Sequence, residues 1–260
     1  MDIMKVNVIP MAGAGKRFAD EGYSVPKPFV TVDGRPMALA AAQDLPKAEH
    51  TVFLCREEHI RAYNPEALFG LHFPKVIILP VPALTEGQAA TCLLACDIVS
   101  EDAQLTIGAC DNGMRWNKER FTEKMSDPSV DALIWTFRRF PPVVNKPEHY
   151  GWVVVGDGDL AERVSVKVPI SDSPLDDHAV IGTFTFKRAG DFFHFAQKMI
   201  KENRRIRNEF YIDECMNLCI EGGMHVEVFE VDVYLGWGSP NELKTYQYWQ
   251  KYFQQSSPTS

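Results

Sequence analysis

The chain has 260 residues, of which 45% are apolar and 24% charged, so it can bury a substantial core without disulfide bonds. It carries 27 basic and 35 acidic residues, a net charge of −8, which argues against a general nucleic-acid-binding protein but not against a nucleotide site. No apolar run reaches the roughly 18 residues that a membrane span requires, and residues 1–10 lack the layout of a signal peptide. We therefore expect a cytoplasmic protein that binds neither nucleic acid nor membrane.

Short strands and helices alternate along the first half of the chain. Strands are predicted at residues 5–10, 51–55, 76–81 and 105–110, and helices at about 36–45 and at 86–99. In the second helix, Ala90, Leu93, Leu94 and Ile98 recur at the spacing of one helical face. The last strand is followed by Asp111-Asn112-Gly113, a turn signal. This alternation is typical of a mostly parallel sheet with helices on both faces.

The second half has a more antiparallel pattern. Strands are predicted at residues 132–137, 151–155, 163–168, 180–186 and 225–231, and helices at 191–201, 213–222 and 241–252. No internal repeat or linker divides the chain. We predict one α/β domain over residues 1–253, with a Rossmann-like, mixed but mostly parallel sheet and a smaller second lobe. Its halves are about 1–130 and 131–253, and residues 254–260 form a flexible tail.

Six cysteines occur, and Cys92/Cys96 and Cys215/Cys219 are each four residues apart, on one face of a helix. Reduced thiols in the core are the main interpretation for a cytosolic chain. A zinc site is the alternative, but the histidines show no ligand spacing near these cysteines.

A loop of small residues, Met11-Ala12-Gly13-Ala14-Gly15, follows the first strand and leads into Lys16-Arg17-Phe18. Small residues let a ligand approach the backbone, and successive N–H groups beside cations suit phosphate oxygens. The loop is not a Walker A motif, because Pro10 and Arg17 stand where Gly and Ser or Thr are needed. It is not a dinucleotide fingerprint either, because Phe18 replaces the third Gly. A plain strand-to-helix turn remains the alternative.

A third cation follows in Pro26-Lys27-Pro28, where the flanking prolines restrict the backbone. Lys16, Arg17 and Lys27 thus lie within twelve residues of an otherwise acidic chain. A nucleoside triphosphate explains this cluster better than a solvated loop does.

The ordered motifs resemble those of the sugar-phosphate nucleotidylyltransferases, the NDP-sugar pyrophosphorylases, along most of the chain. Beyond the two N-terminal segments, the resemblance lies in Gly34-Arg35-Pro36-Met37, Thr85-Glu86-Gly87-Gln88-Ala89, Asp111-Asn112, Tyr150-Gly151-Trp152-Val153, Lys167, Val180-Ile181-Gly182, Asn208-Glu209-Phe210-Tyr211-Ile212 and Gly238-Ser239-Pro240. It implies the nucleotide-diphosphosugar transferase fold. It also implies Mg²⁺-dependent transfer of NMP from an NTP to a phosphorylated acceptor, by default a sugar 1-phosphate, with release of pyrophosphate. A homo-oligomer is left open.

The resemblance also implies a role for individual residues. Arg17 and Lys27 would be catalytic, neutralising charge on the phosphates. The acceptor would be bound by Gly151, Lys167, Gly182 and Glu209, and Mg²⁺ by Asp111. The nucleotide would be bound by Met11, Ala12, Gly13, Ala14, Gly15, Lys16, Gly87, Gln88 and Asp111.

Several of these side chains also have an ordinary structural interpretation. Asp111 suits a turn, Lys167 a solvated strand, Gln88 the first turn of a helix, and Glu209 a surface or capping position. The pair Arg138-Arg139 is more typical of a solvated face or an interface. Trp152 and Trp237 are expected to pack in the core or to form walls of an acceptor site.

The chain departs from the family pattern in two places. Val166 stands where those enzymes usually carry a glutamate before the lysine, which puts the usual sugar contacts in doubt. Gly236-Trp237-Gly238-Ser239 offers no second metal-binding carboxylate, and Asp232 is the nearest substitute. We therefore expect Asp232 to share the Mg²⁺ with Asp111.

The departures leave the acceptor open. Tyr150, Trp152, Trp237 and the acidic Asp172, Asp176 and Asp177 would suit an amine-bearing acceptor such as phosphocholine, in a cytidylyl transfer. Residues 171–178 would equally suit a mobile lid. A non-catalytic nucleotide-binding module and a glycosyltransferase on the same fold are the remaining alternatives.

Overall fold

A mixed nine-stranded sheet forms the centre of residues 3–256, the part of the chain that the computed structural model describes. Its strands are β1 (Lys5–Pro10), β4 (His50–Arg56), β5 (Val76–Val81), β6 (Gln104–Ile107), β8 (Ala132–Phe137), β9 (Gly151–Val155), β10 (Ala161–Val166), β11 (His178–Phe186) and β12 (Val226–Glu230). Two short ribbons lie outside this sheet. They pair β2 (Thr31–Val32) with β3 (Arg35–Pro36), and β7 (Asn112–Arg115) with β13 (Val233–Gly236).

The first half of the chain supplies the parallel part of the sheet. Strands β5, β4, β1 and β6 lie side by side in that order, and each neighbouring pair is parallel. Strand β1 is a short run of buried apolar residues with Val6, Val8 and Ile9, as expected for a strand covered on both faces. The predicted parallel sheet is confirmed, although β6 ends at Ile107 rather than at residue 110.

The second half is antiparallel, as the sequence predicts, with one exception. Strand β11 pairs antiparallel with β6, β8 and β9, and β10 pairs antiparallel with β9, but β12 runs parallel to β8. The register of β11 against β8 shifts between Val180 and Phe184, where Gly182 has a φ of 89°. This irregularity brings the backbone of β11 beside the loop that follows β6.

Helices cover both faces of the sheet. They are α1 (Lys16–Asp20), α2 (Met37–Gln43), α3 (Glu57–Tyr63), α4 (Pro65–Phe69), α5 (Gln88–Leu93), α6 (Lys118–Ser126), α7 (Ala189–Lys201), α8 (Ile212–Glu221) and α9 (Pro240–Ser256). One apolar cluster joins the sheet to α5, α7 and α8, and a second joins its other face to α2, α4 and α6. The sequence analysis did not identify α3, α4 or α6.

The predicted helix over residues 86–99 is wrong in length and in its buried face. After α5, the amides of Leu94, Ala95 and Cys96 donate to carbonyls three residues back, so the chain tightens into turns. Leu94 and Ile98 are exposed. The buried positions are instead Ala89, Cys92, Ala95 and Val99.

The prediction of a turn at residues 111–113 is wrong from residue 112 onward, where the chain forms a strand. Asn112 begins β7, which pairs antiparallel with β13. A Cβ atom on Gly113 would lie 2.7 Å from the indole of Trp237 and 3.0 Å from the carboxylate of Asp44. Glycine is therefore needed at this position because a side chain would clash with its neighbours, and not because the backbone has a positive φ.

A third apolar cluster ties the N-terminal segments to the C-terminal helix. Phe18 of α1 and Met37 of α2 pack with Trp237 and with Leu243 of α9. Trp237 is only 2% exposed, and Trp152 is fully buried in the second cluster, so both tryptophans are packing residues. Helix α9 continues to Ser256, over the first part of the predicted flexible tail. Residues 257–260 lie outside the described residues.

All six cysteines are free thiols, and Cys215 and Cys219 are buried on one face of α8, as expected for core thiols. Over residues 3–256 no group of three or more His, Cys, Asp or Glu side chains could hold a metal ion, so nothing there supports a zinc site. None of the described helices is long and apolar enough to cross a bilayer.

Gly87 precedes α5 and packs against the segment before α8. Its φ is 134°, and a Cβ atom would lie 2.5 Å from the backbone nitrogen of Phe210, which donates to the Glu86 carbonyl at 2.7 Å. Positive-φ strain alone costs about 1–3 kcal/mol for a non-glycine residue. Gly22 has a φ of 82° but open space around it. We expect Gly87→Ala to lower the free energy of unfolding more than Gly22→Ala does, as measured by urea denaturation. Equal losses would contradict the packing argument.

Candidate active site

Three adjoining hollows open at the carboxyl ends of β1 and β6. The cation hollow, of about 230 Å³, is lined by Lys16, Arg17 and Lys27. The Gly-loop hollow, of about 400 Å³, is lined by Ala12, Gly13, Ala14, Gly87, Gln88 and Asp111. The tyrosine hollow, of about 250 Å³, is lined by Tyr150, Tyr211 and Tyr234 together with Arg17, Gln88 and Asp111. Because these hollows share residues, they form one cleft.

The glycine-rich loop offers free amides to this cleft. Within residues 3–256, the N–H groups of Ala12, Gly13, Ala14 and Gly15 donate to no protein acceptor. Gly15 adopts the left-handed conformation with a φ of 61°, which turns the chain into α1. Met11 lines the cation hollow, but its amide already donates to the Leu54 carbonyl at 2.9 Å. The amides that are free for an anion are therefore those of residues 12–15, and Met11, also predicted to bind the nucleotide, has no free amide for it.

The three predicted cations differ in how they are held. Lys27 begins a 3₁₀ helix (Lys27–Phe29), and its ammonium forms an ion pair with Asp111 and lies 5.6 Å from the ring centre of Phe18. Arg17 is exposed on α1 and lines both the cation and the tyrosine hollows. Of the three hollows, Lys16 lines only the cation hollow. Arg17 and Lys27 thus converge on Asp111.

Asp111 lines the Gly-loop and tyrosine hollows, and its carboxylate pairs with Lys27, which lines the cation hollow. The backbone carbonyl of Asp111 accepts a hydrogen bond from the backbone N–H of Trp237 at 3.1 Å, and this bond joins the loop after β6 to the loop after β13. Burial alone would raise the pKa of this carboxyl, but the Lys27 ammonium, followed by Arg17 and Lys167, holds the pKa below its ordinary value. Lys27 binds Oδ2, and Oδ1 has no hydrogen-bond donor among the described residues. A free, ionised carboxylate oxygen therefore faces the cleft.

The Gly-loop hollow contains one predicted acceptor residue. Gly87 and Gln88, at the start of α5, line it as expected for nucleotide-binding residues. Glu209 is exposed and lines this hollow as well, and does not line the tyrosine hollow where Lys167 lies. Burial raises the pKa of Tyr211 and Glu209 raises it further, and Glu209 opposes the lowering of the Lys167 pKa by burial, so Glu209 also acts on the tyrosine hollow and acceptor binding by it stays a prediction.

The tyrosine hollow holds the other predicted acceptor residues, Gly151, Lys167 and Gly182. Lys167 has a φ of 63°, its amide donates to the Tyr150 carbonyl at 3.1 Å, and its ammonium donates to the His149 carbonyl. Burial lowers the pKa of this lysine, an effect that Asp213 opposes. Lys167 is therefore a fixed, half-buried cation and not a solvated strand residue.

Glu242 is a site residue that the sequence analysis missed. It forms a capping box at the start of α9, where Oε2 accepts from the Ser239 amide at 2.8 Å and the Glu242 amide donates to Ser239 Oγ at 3.3 Å. Its Oε1 accepts from the Tyr150 hydroxyl at 2.9 Å. A Cβ atom on Gly238 would lie 3.4 Å from Glu242 Oε2 and 3.5 Å from Asp111 Oδ2, so these oxygens are at most about 7 Å apart.

Asp232 was expected to share a metal with Asp111, but it lies too far from Asp111 to do so. Asp232 precedes β13 at the end opposite to Gly236, which pairs with Asn112, so it lies five residues, or about 17 Å at roughly 3.3 Å per residue, along the ribbon from Asp111. It is half exposed and lies 3.7 Å from Arg120. Glu242 lies nearer to Asp111 than Asp232 does, and Asp111 alone can suffice for Mg²⁺, since this ion takes one or two carboxylates and completes its shell with water and substrate phosphate.

Other side chains that the sequence singled out lie outside the cleft. Arg138 forms a two-pronged ion pair with Glu230, at 3.0 and 2.7 Å. No residue of the segment 171–178 lines any of the three hollows, so neither a lid nor an acidic acceptor wall is supported there. Asp213 was not predicted, but it lines the tyrosine hollow.

Three solved structures resemble this chain over nearly its whole length. A nucleoside-diphosphate-sugar pyrophosphorylase from Vibrio cholerae is 21% identical with a TM-score of 0.72, over 92% of this chain and 98% of its own. An inositol-1-phosphate CTP transferase from T. maritima is 18% identical with a TM-score of 0.73, over 96% of each chain. A putative glucose-1-phosphate thymidylyltransferase from Bacillus anthracis, in complex with a sucrose, is 19% identical with a TM-score of 0.74, over 95% of this chain and 94% of its own.

The chain has the fold of the nucleotidyltransferases. No protein-family model matches the sequence, and no curated protein matches it either.

The ion pair between Lys27 and Asp111 yields a prediction about pKa. Replacing Lys27 with Met removes the main charge that opposes burial, so we expect the pKa of Asp111 to move from below 3.8 to above it. Carboxyl ¹³C NMR across the acid range measures this shift, with Lys16→Met as the matched control. In the wild type, the stability contributed by Asp111 is present above pH 3.8 and is lost as the pH falls through the lower folded-state value. An unchanged Asp111 titration in Lys27→Met would contradict the assignment.

Proposed function

We propose that this protein is a nucleotidylyltransferase that transfers NMP from an NTP to a phosphorylated small-molecule acceptor and releases pyrophosphate. The observation that carries the proposal is the convergence of Arg17 and Lys27 on Asp111, beside four unpaired loop amides. One hollow on either side of Asp111 provides room for two ligands. The arrangement suits two anionic substrates that must be held together against their mutual repulsion.

The reaction is a displacement at the α-phosphorus of the NTP. An oxygen of the acceptor phosphate forms the new P–O bond, the bond to the bridging oxygen of the β-phosphate breaks, and pyrophosphate leaves with the electron pair. The acceptor phosphate is already an anionic nucleophile, so no covalent enzyme intermediate is required. Catalysis then consists of positioning and charge neutralisation.

The residues divide between the two substrates. The amides of residues 12–15 bind triphosphate oxygens, and Arg17 and Lys16 neutralise the leaving pyrophosphate. Lys27 lies by the α-phosphate, and Lys167 binds the acceptor phosphate. Gln88 can donate to and accept from a nucleobase edge, so it contacts the base in the Gly-loop hollow.

Mg²⁺ is the divalent cation that this site suits. Asp111, with Glu242 across Gly238, would hold it, and the ion would supply further charge neutralisation to the phosphates. The protein's own contribution is to fix these carboxylates. The Trp237 amide holds the backbone of Asp111, and the capping box with the Tyr150 hydroxyl orients Glu242.

A sugar 1-phosphate is the default acceptor. The named substrates of the three similar structures include nucleoside-diphosphate sugars, inositol 1-phosphate and glucose 1-phosphate. The alternative is cytidylyl transfer to a non-sugar phosphate such as phosphocholine. We place the enzyme in the cytoplasm, where nucleotide sugars for polysaccharide synthesis are made, as a single domain with nucleotide-binding and acceptor-binding halves.

The decisive experiment is a pyrophosphate-release screen of the four NTPs against a panel of phosphorylated acceptors, with and without Mg²⁺. We expect release that requires one NTP, one acceptor class and the metal. Nucleotide binding without pyrophosphate release would indicate a non-catalytic module. Release of free nucleotide from a nucleotide sugar would indicate a glycosyltransferase. Either result would overturn the proposal.

A matched pair of carboxylate variants tests the metal assignment. We expect Asp111→Asn to lower kcat/KM by at least about 100-fold and to weaken Mn²⁺ binding, because the variant removes the ionised ligand. Asp232→Asn should change neither, since that side chain lies beside Arg120, away from the cleft. Steady-state kinetics and Mn²⁺ titration by electron paramagnetic resonance measure both effects. Equal losses in the two variants would contradict the assignment.

A further inference from the structure

A fourth hollow, of about 240 Å³, adjoins the cation hollow and has no part in the mechanism described so far. The glycine-rich loop contributes Gly13, Ala14 and Gly15 to its lining, and the end of β4 with the start of α3 contributes Arg56, Glu58 and His59. We call it the Arg56 hollow. Pro10 of β1 pairs with Leu54 of β4, so the loop that follows β1 begins beside the last residues of β4. The parallel pairing of these two strands therefore places Arg56 next to the phosphate loop.

Shared residues show how three of the hollows follow one another along the cleft. The Arg56 hollow shares Gly13, Gly15 and Lys27 with the cation hollow. The cation hollow in turn shares Arg17 with the tyrosine hollow. Among the described residues, none lines both the Arg56 hollow and the tyrosine hollow. The cation hollow therefore lies between the other two.

This order decides which substrate group the Arg56 hollow suits. In phosphoryl transfer, the attacking and leaving oxygens lie roughly in line on opposite sides of the phosphorus. The proposed function places the acceptor phosphate at Lys167 in the tyrosine hollow and the α-phosphate at Lys27. The leaving pyrophosphate then moves away from the tyrosine hollow, through the cation hollow and toward the Arg56 hollow.

Arg56 provides a cation at this end of the cleft. Its side chain is 27% exposed, and its guanidinium lies 2.9 Å from the carboxylate of Glu58, whose side chain is 61% exposed. An ion pair with so exposed an acid contributes little to stability. Arginine binds phosphate through two parallel N–H groups, and such charge-assisted hydrogen bonds are stronger. A phosphate group can therefore take the place of Glu58 on Arg56.

A second observation at the same hollow is an unpaired nitrogen of His59. This side chain is nine-tenths buried, and its Nδ1 is buried with no hydrogen-bond partner among residues 3–256. Burial, and then the Arg56 guanidinium, lower the pKa of His59, so the ring is neutral at pH 7 and carries one N–H. A buried polar atom without a partner is costly. An anion in the hollow would accept a hydrogen bond from this ring.

We propose that Arg56 binds the terminal phosphate of the NTP and then the leaving pyrophosphate, so that the Arg56 hollow is a subsite for the leaving group. The inference rests on the proposed function and adds to it one binding residue, supplied by β4 rather than by the N-terminal motifs. Bond formation at the α-phosphorus is left to the groups around Asp111.

The first test is calorimetric titration of the protein with pyrophosphate in the presence of Mg²⁺. A hydrogen bond to a charged group is worth roughly 10- to 150-fold in a binding constant. We therefore expect Arg56→Met to raise the Kd for pyrophosphate by at least about tenfold. Arg61→Met is the matched control, because Arg61 is exposed on the same helix face as its partner Glu57 and lines none of the four hollows. Its Kd should stay within about twofold of the wild type.

Glu58→Gln tests the same subsite with the opposite sign. Glu58 lines the hollow and competes with phosphate for Arg56, so its neutralisation should lower the Kd for pyrophosphate by at least about twofold. Because Glu58 is exposed, this variant keeps the fold and decides the question if Arg56→Met does not fold. An unchanged or higher Kd in Glu58→Gln would then overturn the inference.

Steady-state kinetics separate leaving-group binding from a structural role. We expect Arg56→Met to raise KM for the NTP by at least about tenfold and to change KM for the acceptor by less than about threefold, since the acceptor lies in the tyrosine hollow. A merely structural role would raise both values together and would contradict the proposal.

The outcomes distinguish this inference from the proposed function. If the wild type binds pyrophosphate and Arg56→Met binds it within about threefold as tightly, the role of Arg56 is overturned and the nucleotidylyl transfer stands. If the wild type neither binds pyrophosphate nor releases it from any pair of NTP and acceptor, the proposed function itself is overturned.

Discussion

The site depends on one electrostatic constraint, the balance of positive and negative charge around Asp111. Lys27 reaches this carboxylate from the N-terminal segment, and Arg17 and Lys167 act on it from two other parts of the chain. Together they keep a half-buried acid ionised. The same cations are available to phosphate groups, so a site that is held together by ion pairs when free can exchange protein carboxylate for ligand phosphate.

The fold delivers these groups from distant segments to one edge of the sheet. The loops after β1 and β6 lie next to each other because their strands are parallel neighbours. The backbone bond from Trp237 to Asp111 brings the C-terminal part of the chain to the same point, and the apolar cluster of Phe18, Trp237 and Leu243 fixes it there. The site therefore requires both halves of the chain, although the first half supplies most of the predicted phosphate contacts.

Local patterns predicted what depends on local physics. The parallel strands follow from short apolar runs, and the phosphate loop follows from glycine and alanine beside cations. The turn prediction at residues 111–113 was wrong because Asp-Asn-Gly is typical of turns, whereas here the packing of Trp237 against Gly113 decides the conformation. The prediction that Asp232 binds the metal was wrong because it relied on the short distance along the sequence to Gly236, whereas the antiparallel ribbon places Asp232 and Gly236 at opposite ends of β13. Glu242 was missed because its bond to Tyr150 joins residues distant in sequence, although the capping box Ser239-Pro240-Asn241-Glu242 was a readable signal.

The most direct test of the account is a crystal structure of the protein with Mg²⁺ and pyrophosphate, a ligand pair that requires no knowledge of the nucleobase or the acceptor. The account predicts pyrophosphate oxygens on the amides of residues 12–15 and on Arg17, with the metal on Asp111. Pyrophosphate bound away from this cleft, or bound in it with no contact to the loop amides, would contradict the central claim.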